Sequence, residues 1–252
     1  MCRVLNKKLW IPVVIGLAVV LIVAGIRFWP HLLWRFGGGY SLTLNQQLLP
    51  VSPMPETPVP DDFVRCHFGP LEFRVPPGTV AKPEFKAGGL PHVVLRDGKR
   101  DVLVTLPSDN RTTLEALRTA LAGCGGFTTI KRLDAEAYAT SPADFRWSMS
   151  RQELARHRFL LGYHFLGGYL ASSIETQLGG DVEGLLLIRG NGAFYEWNGS
   201  GDEVAALIAF DDKPGQLDLN WIRAICASLR YSGGVFDDKM TAEEVAKLFR
   251  VE

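Results

Sequence analysis

The sequence predicts an α+β protein: one N-terminal transmembrane helix, then one antiparallel-sheet domain with helices packed against it. Three observations lead there. Leu9–Ile26 is an 18-residue run without a charged side chain. Short alternating apolar runs separated by Gly-rich turns recur between Val64 and Phe210. Helical patterns opened by capping residues lie between and after those runs, and strands in consecutive groups with interspersed helices are the α+β pattern.

The chain has 252 residues, with 27 basic and 27 acidic side chains. Its 47% apolar content excludes a disordered tail, and its zero net charge excludes nucleic-acid binding by bulk charge. Four cysteines are too few for a disulfide scaffold. The zero hides an asymmetry. Residues 1–60 carry five basic side chains (Arg3, Lys7, Lys8, Arg27, Arg35) against Glu56 alone, a net +4, so residues 61–252 carry −4.

At 1.5 Å per residue, Leu9–Ile26 extends about 27 Å, close to a bilayer's hydrocarbon core. Trp10, Phe28, Trp29 and Trp34 lie at its ends, where amphipathic rings favour the headgroup region. Residues 1–8 are then a cytoplasmic N-terminus and residues 9–34 a signal anchor in the lipid bilayer. A cleaved signal peptide ending near Val23-Ala24-Gly25 and a buried core helix are the alternatives. Three basic residues before the span against two after it place the remainder outside the cytoplasm. Residues 35–60 read as a linker, with Gly37-Gly38-Gly39 as a joint and five prolines from Pro50 to Pro60. A Pro-rich stretch of this kind favours an extended spacer and cannot form a helix or a central strand.

Residues 61–252 form the folded domain. Val64–Phe68 and Leu71–Val75 flank Gly69-Pro70 and read as two strands. His92–Leu95 and Val102–Leu106 flank Asp97-Gly98, a hairpin signal. Thr112–Glu115 and Ser150–Glu153 match the capping box and open two helices, the second running to about Phe165. Ser172–Leu178, Gly184–Arg189, Ala193–Asn198 and Val204–Phe210 form a meander of short strands. Asp218 caps a helix with Leu219, Ile222, Ile225, Cys226 and Leu229 at helical spacing, and Thr241–Glu244 opens a last one. The expected sheet has six to eight strands.

The stretch CHFGPLEFRVPPG (Cys66–Gly78), followed later by GDVEGLLLIRGNGAFYEWNG, VAALIAFDD and LDLNWIRAICASLRY, resembles PsbP-like domains over about residues 62–232. That fold is shared by the photosystem PsbP subunit, the nuclear-import Mog proteins and several bacterial envelope lipoproteins. The resemblance implies an opening aromatic strand with a Pro-Gly turn, a closing meander and a C-terminal helix. It implies no catalytic residue.

No motif for nucleotide binding, nucleophilic catalysis or zinc hydrolysis occurs. Glu153, His157 and His164 share a helical face, but the histidines lie about 10.5 Å apart along the axis, too far for one ion. Cys66, Cys124 and Cys226 are scattered, leaving core packing or one disulfide as alternatives. The acidic pairs Asp61-Asp62, Asp211-Asp212 and Asp237-Asp238 read as solvated turns. Asn110 and Asn198 each begin a glycosylation-type triplet.

The expected function is therefore a membrane-anchored, non-catalytic binding or scaffolding domain with an unidentified protein partner, no cofactor, no metal and no nucleic acid. The aromatic residues Trp147, Tyr195 and Trp197 are the candidate binding residues; for Trp197, which alternation puts on one face with Tyr195 and Ala193, core packing is the alternative. An anchored envelope hydrolase and an accessory subunit of a membrane complex are the alternatives.

Overall fold

A computed structural model describes residues 19–23, 25, 49–84, 92–97, 100–167, 171–179, 181–190, 192–211, 217–234 and 241–252. Its elements in chain order are β1 (Val51–Pro53), β2 (Val64–Phe68), β3 (Leu71–Val75), β4 (Val80–Glu84), β5 (His92–Asp97), β6 (Arg100–Thr105) and β7 (Ser108–Asp109). Three helices follow: α1 (Arg111–Leu121), α2 (Ile130–Ala139) and α3 (Arg151–Gly167). Then come β8 (Ser173–Gln177), β9 (Val182–Arg189), β10 (Gly192–Gly199), β11 (Val204–Asp211), α4 (Leu219–Ser228), β12 (Arg230–Tyr231), α5 (Ala242–Leu248) and β13 (Phe249–Val251).

The expected transmembrane helix is corrected by this structure. Among the described residues, no helix is long and apolar enough to cross a membrane. Val19–Val23 and Gly25 are helical and exposed, and six residues rise only about 9 Å. The rest of the segment 9–34 lies outside the described residues. The 17-residue α3 is long but carries Arg151, Glu153, Arg156 and Arg158.

The single antiparallel sheet is also corrected. Among the described residues there are two sheets. The larger has nine strands in the order β1-β8-β9-β10-β11-β6-β5-β4, with β7 also paired to β11. The smaller is β12-β3-β2-β13. The meander β8 to β11 is antiparallel throughout, but β1 pairs with β8 in parallel, Val51 opposite Ile174. Part of the Pro-rich stretch thus joins the large sheet, at its edge, where a proline's missing N–H costs least. Beyond it, Pro55, Pro58, Pro60 and Phe63 line a depression of about 540 Å³ against Trp221 and Ala224 of α4.

The large sheet is covered on both faces. Toward the small sheet and α4 it presents Val93, Leu95, Val102, Val104, Leu186, Tyr195, Trp197 and Ile208, which pack on Phe68, Leu71, Phe73, Ile222 and Ile225. Toward the helices it presents Ile174, Leu185 and Leu187, which meet Tyr138 of α2. Double coverage explains the unbroken apolar run Leu185–Ile188, which alternation alone would not produce. Tyr195 is accommodated only because residue 184 is glycine: a Cβ there would lie 2.3 Å from the tyrosine ring. The Tyr195 hydroxyl donates to Gln177 Oε1 at 2.8 Å. Helices α1, α2 and α3 form their own apolar cluster around Leu114, Leu121, Leu133 and Leu160. On the other side, Arg223 of α4 donates through Nε to Glu175 Oε2 of β8 at 2.8 Å.

Capping follows the sequence at three helices. Ser150 and Glu153 exchange the two bonds of a capping box, as do Thr241 and Glu244, and Asp218 Oδ1 accepts from Trp221 N. At α1 it does not. The helix begins one residue before Thr112, and its N-cap Asn110 makes no side-chain cap bond. The Asn110 amide is diverted to the Asp202 carbonyl at 3.2 Å.

Candidate functional site

Helix α2 organises the site. Thr129 is its N-cap: the hydroxyl accepts from Arg132 N at 3.4 Å and donates to Glu183. The next free amide, Ile130 N, donates to Asp202 Oδ2 at 2.8 Å. Asp202 is the one described non-glycine residue with positive φ (64°), a conformation Asp tolerates better than most. Burial pushes its carboxyl pKa up, while the bond from Ile130 N pulls the other way. This turn pins the helix start to the loop after β10.

The face of α2 turned to the sheet carries Lys131, Asp134 and Tyr138, spaced three and four residues apart. Lys131 is buried, and its Nζ lies 3.0 Å from Asp134 Oδ2 and 3.7 Å from Glu196 Oε2 of β10. The second oxygen of Asp134 accepts from the Tyr163 hydroxyl of α3 at 2.8 Å. Burial, with the carboxylates of Asp134 and Glu196 nearby, pushes the Tyr138 and Tyr163 hydroxyls well above the usual phenol range. Both therefore stay protonated at neutral pH and neither is suited to act as a base.

These side chains line a cavity of about 320 Å³ together with Asn110, Thr113, Asn198 and Ala205. Its size is at the lower end for a small-molecule site. Asn198 is 2% exposed, and its Nδ2 is buried without a hydrogen-bond partner. A buried, unmet amide donor costs about 1–3 kcal/mol. Packing gives no reason to keep it. Nor does stability explain the charged cluster, because a buried ion pair is commonly matched or exceeded by apolar residues of similar volume.

The expected binding residues are distributed differently. Tyr195 and Trp197 are 0% exposed and belong to the core, Trp197 packing on Tyr231 with ring centroids 5.7 Å apart. Neither presents a binding face. Trp147 is 46% exposed and lies edge-on to Phe145 at 5.3 Å, away from the cavity lining. The residues between the two core aromatics and after them, Glu196 and Asn198, are the ones that reach the cavity. Alternation along β10 could have suggested this, since residues 194, 196 and 198 share the opposite face. Helix α2 itself was not expected. Its signal was present in Thr129 as an N-cap and in Ile130, Leu133 and Ala137 at helical spacing.

The remaining candidate chemistry stays apart. His67 lies on β2 with Nε2 3.4 Å from Glu252 Oε1, His92 on β5, and His157 on α3. Among the described residues no group of three or more His, Cys, Asp or Glu side chains could hold a metal ion. Cys66, Cys124 and Cys226 are free thiols. Burial pushes the Cys66 thiol up to about 11 and Cys226 well above its ordinary value, so neither is an activated nucleophile. Asp61 and Asp62 are exposed turn residues, while Asp212, Asp237 and Asp238 lie outside the described residues. The buried Asn198 side chain faces inward, unsuited to carry a glycan.

No protein-family model, curated protein or solved structure matches this chain.

Proposed function

We propose that this chain carries a non-catalytic binding domain whose ligand site is the cavity between α2 and β10. The observation that carries the reading is the cavity itself, about 320 Å³ and walled by the buried Lys131–Asp134 pair, Tyr138, Tyr163 and the half-exposed Glu196, large enough for a small organic molecule. The neighbouring groups favour binding over turnover: Asp134 is held at both oxygens, Lys131 lies between two carboxylates, and the tyrosine hydroxyls remain protonated. The apolar walls, Ile130, Ala137 and Ala205, supply contact area without chemistry.

The test is a thermal-shift screen of the purified full chain against a broad library of small polar metabolites, run in parallel on Ala205→Leu, whose larger side chain fills part of the cavity. At least one compound should raise the melting temperature of the parent protein and not of the variant. Equal shifts in both proteins, or none in the parent protein, would overturn this site.

A further inference from the structure

The Pro-rich stretch does more than close the edge of the large sheet. Closing it is the work of β1, Val51–Pro53, which pairs with β8. Residues 54–60 run on past that edge, held at both ends, because Met54 and Phe63 pack against the principal core. Met54 N still donates to the Thr176 carbonyl at 2.8 Å, but residues 55–59 make no backbone–backbone hydrogen bond among the described residues. Composition dictates the shape of this strap. A proline holds its own φ near about −65° and drives the residue before it out of the helical region. From 53 to 60, Pro53, Pro55, Pro58 and Pro60 are so held, and Met54, Thr57 and Val59 each precede a proline, so only Glu56 is unrestricted. Such a segment favours the extended polyproline form, with three residues per turn and a solvated backbone. Burial follows that period: Val51, Met54 and Thr57 are part-buried, while Ser52, Pro53, Pro55, Glu56 and Pro58 are exposed. One edge of a three-sided ligand thus rests on the domain, and two edges face outward. Pro55 and Pro58 share one of them, about 9 Å apart at ~3.1 Å per residue, and Pro53 and Glu56 share the other.

We propose that residues 53–58 are a docking segment for a partner protein whose proline-recognition groove is lined by aromatic rings and rimmed by a basic side chain. Two aromatic pockets about 9 Å apart take Pro55 and Pro58, the spacing at which extended Pro-rich ligands are read. The depression of about 540 Å³ between these prolines and Trp221 leaves open space beside them, so a ring can approach without lifting the strap. Charge selects the rim. Between Pro50 and Val64 the chain carries Glu56, Asp61 and Asp62 and no basic residue, and all three acids are exposed. Glu56, between the two prolines, pairs with the partner's basic side chain. Because the segment is already extended and anchored, little ordering entropy opposes binding. This surface is independent of the cavity between α2 and β10 and goes beyond the small-molecule reading.

The closing experiment titrates the isotope-labelled full chain with a panel of isolated WW and SH3 domains, some with basic and some with acidic groove rims. Binding is followed on the backbone amide resonances of Glu56, Thr57 and Val59. At least one basic-rimmed domain should move these signals saturably, while those of Ile174 and Thr176, opposite β1, stay in place. Pro55→Ala combined with Pro58→Ala should weaken that binding at least tenfold, the loss expected for removed anchor residues. Glu56→Lys should weaken it severalfold. Both variants should keep the parent protein's amide spectrum away from the strap. No shift with any domain, or binding that the double proline variant leaves intact, would overturn the proposal. Movement of Ile174 and Thr176 together with the strap signals would overturn it as well, because the partner would then be taking a strap peeled from the sheet. Tighter binding by the acidic-rimmed domains would overturn the charge assigned to the partner. Strap signals that shift with the concentration of the chain alone would make the occupant a second copy and overturn the partner class.

Discussion

The two faces of strand β10 are built for different ends. On one, Ala193, Tyr195 and Trp197 are wholly buried against the small sheet and α4. On the other, Glu196 and Asn198 meet helix α2 across a cavity lined with charge. The first face is close-packed enough that Gly184 has no room for a methyl group beside the Tyr195 ring. The second leaves an amide donor unmet. A single strand thus separates the part of the molecule that stabilises it from the part proposed to bind, and the alternation of its side chains makes the separation possible. Substitutions on the two faces should have different, and in one case opposite, consequences.

The largest effect is expected on the packed face. Trp197→Ala opens a void in the principal core and should cost about 3–5 kcal/mol in chemical denaturation. Next is Lys131→Met on the cavity face, which strands Asp134 with a buried, uncompensated charge. A loss of about 3 kcal/mol is expected, and most of it should return when Asp134→Leu and Glu196→Gln are added, because the cost lies in the unpaired charge and not in lost packing. If the triple variant were no more stable than the single one, the cluster would be a structural support.

Asn198→Leu should act in the opposite direction. Removing an unsatisfied buried amide should raise stability by about 1 kcal/mol in the absence of ligand. A destabilisation would mean that the amide is already satisfied and the two faces are less different than they look. The smallest effect concerns pH. Burial lowers the pKa of His157 below its ordinary 6.5, opposed by the nearby Asp144 carboxylate. The folded state therefore binds this proton less readily than the unfolded chain. Its contribution is complete above pH 6.5 and declines as pH falls toward the depressed folded value. Stability measured from pH 7.5 to 5 should decline less in His157→Leu than in the parent protein.

Much of the packed face was legible in the sequence, because period-2 alternation and Gly-rich turns report strands directly. Val64–Phe68, Leu71–Val75 and the four strands of the meander fall where those signals place them, within a residue or two. The pairing of strands into two sheets was not legible, since β12 and β13 are only two and three residues long and lack any pattern of their own. The cavity was hidden for a different reason. Its charges sit on α2, where Lys131 and Asp134 look like solvated surface residues until Glu196 and Tyr163 arrive from distant segments. Asn110 illustrates the same limit: a local capping pattern at Thr112 lost to a tertiary bond with Asp202. In β10 the aromatic residues read from sequence as binding candidates, although large rings on one strand face more often fill a core. The small polar residues beside them carry the proposed site.

The most direct measurement follows the backbone amide resonances of Lys131, Asp134 and Glu196, which line the cavity, while the full chain is titrated with the metabolite that gives the largest thermal shift. The expected result is a saturable shift of those signals, while the core signals of Tyr195 and Trp197 stay in place. Signals of these three residues that do not move at concentrations where binding is saturated would contradict the assignment of the cavity as the ligand site.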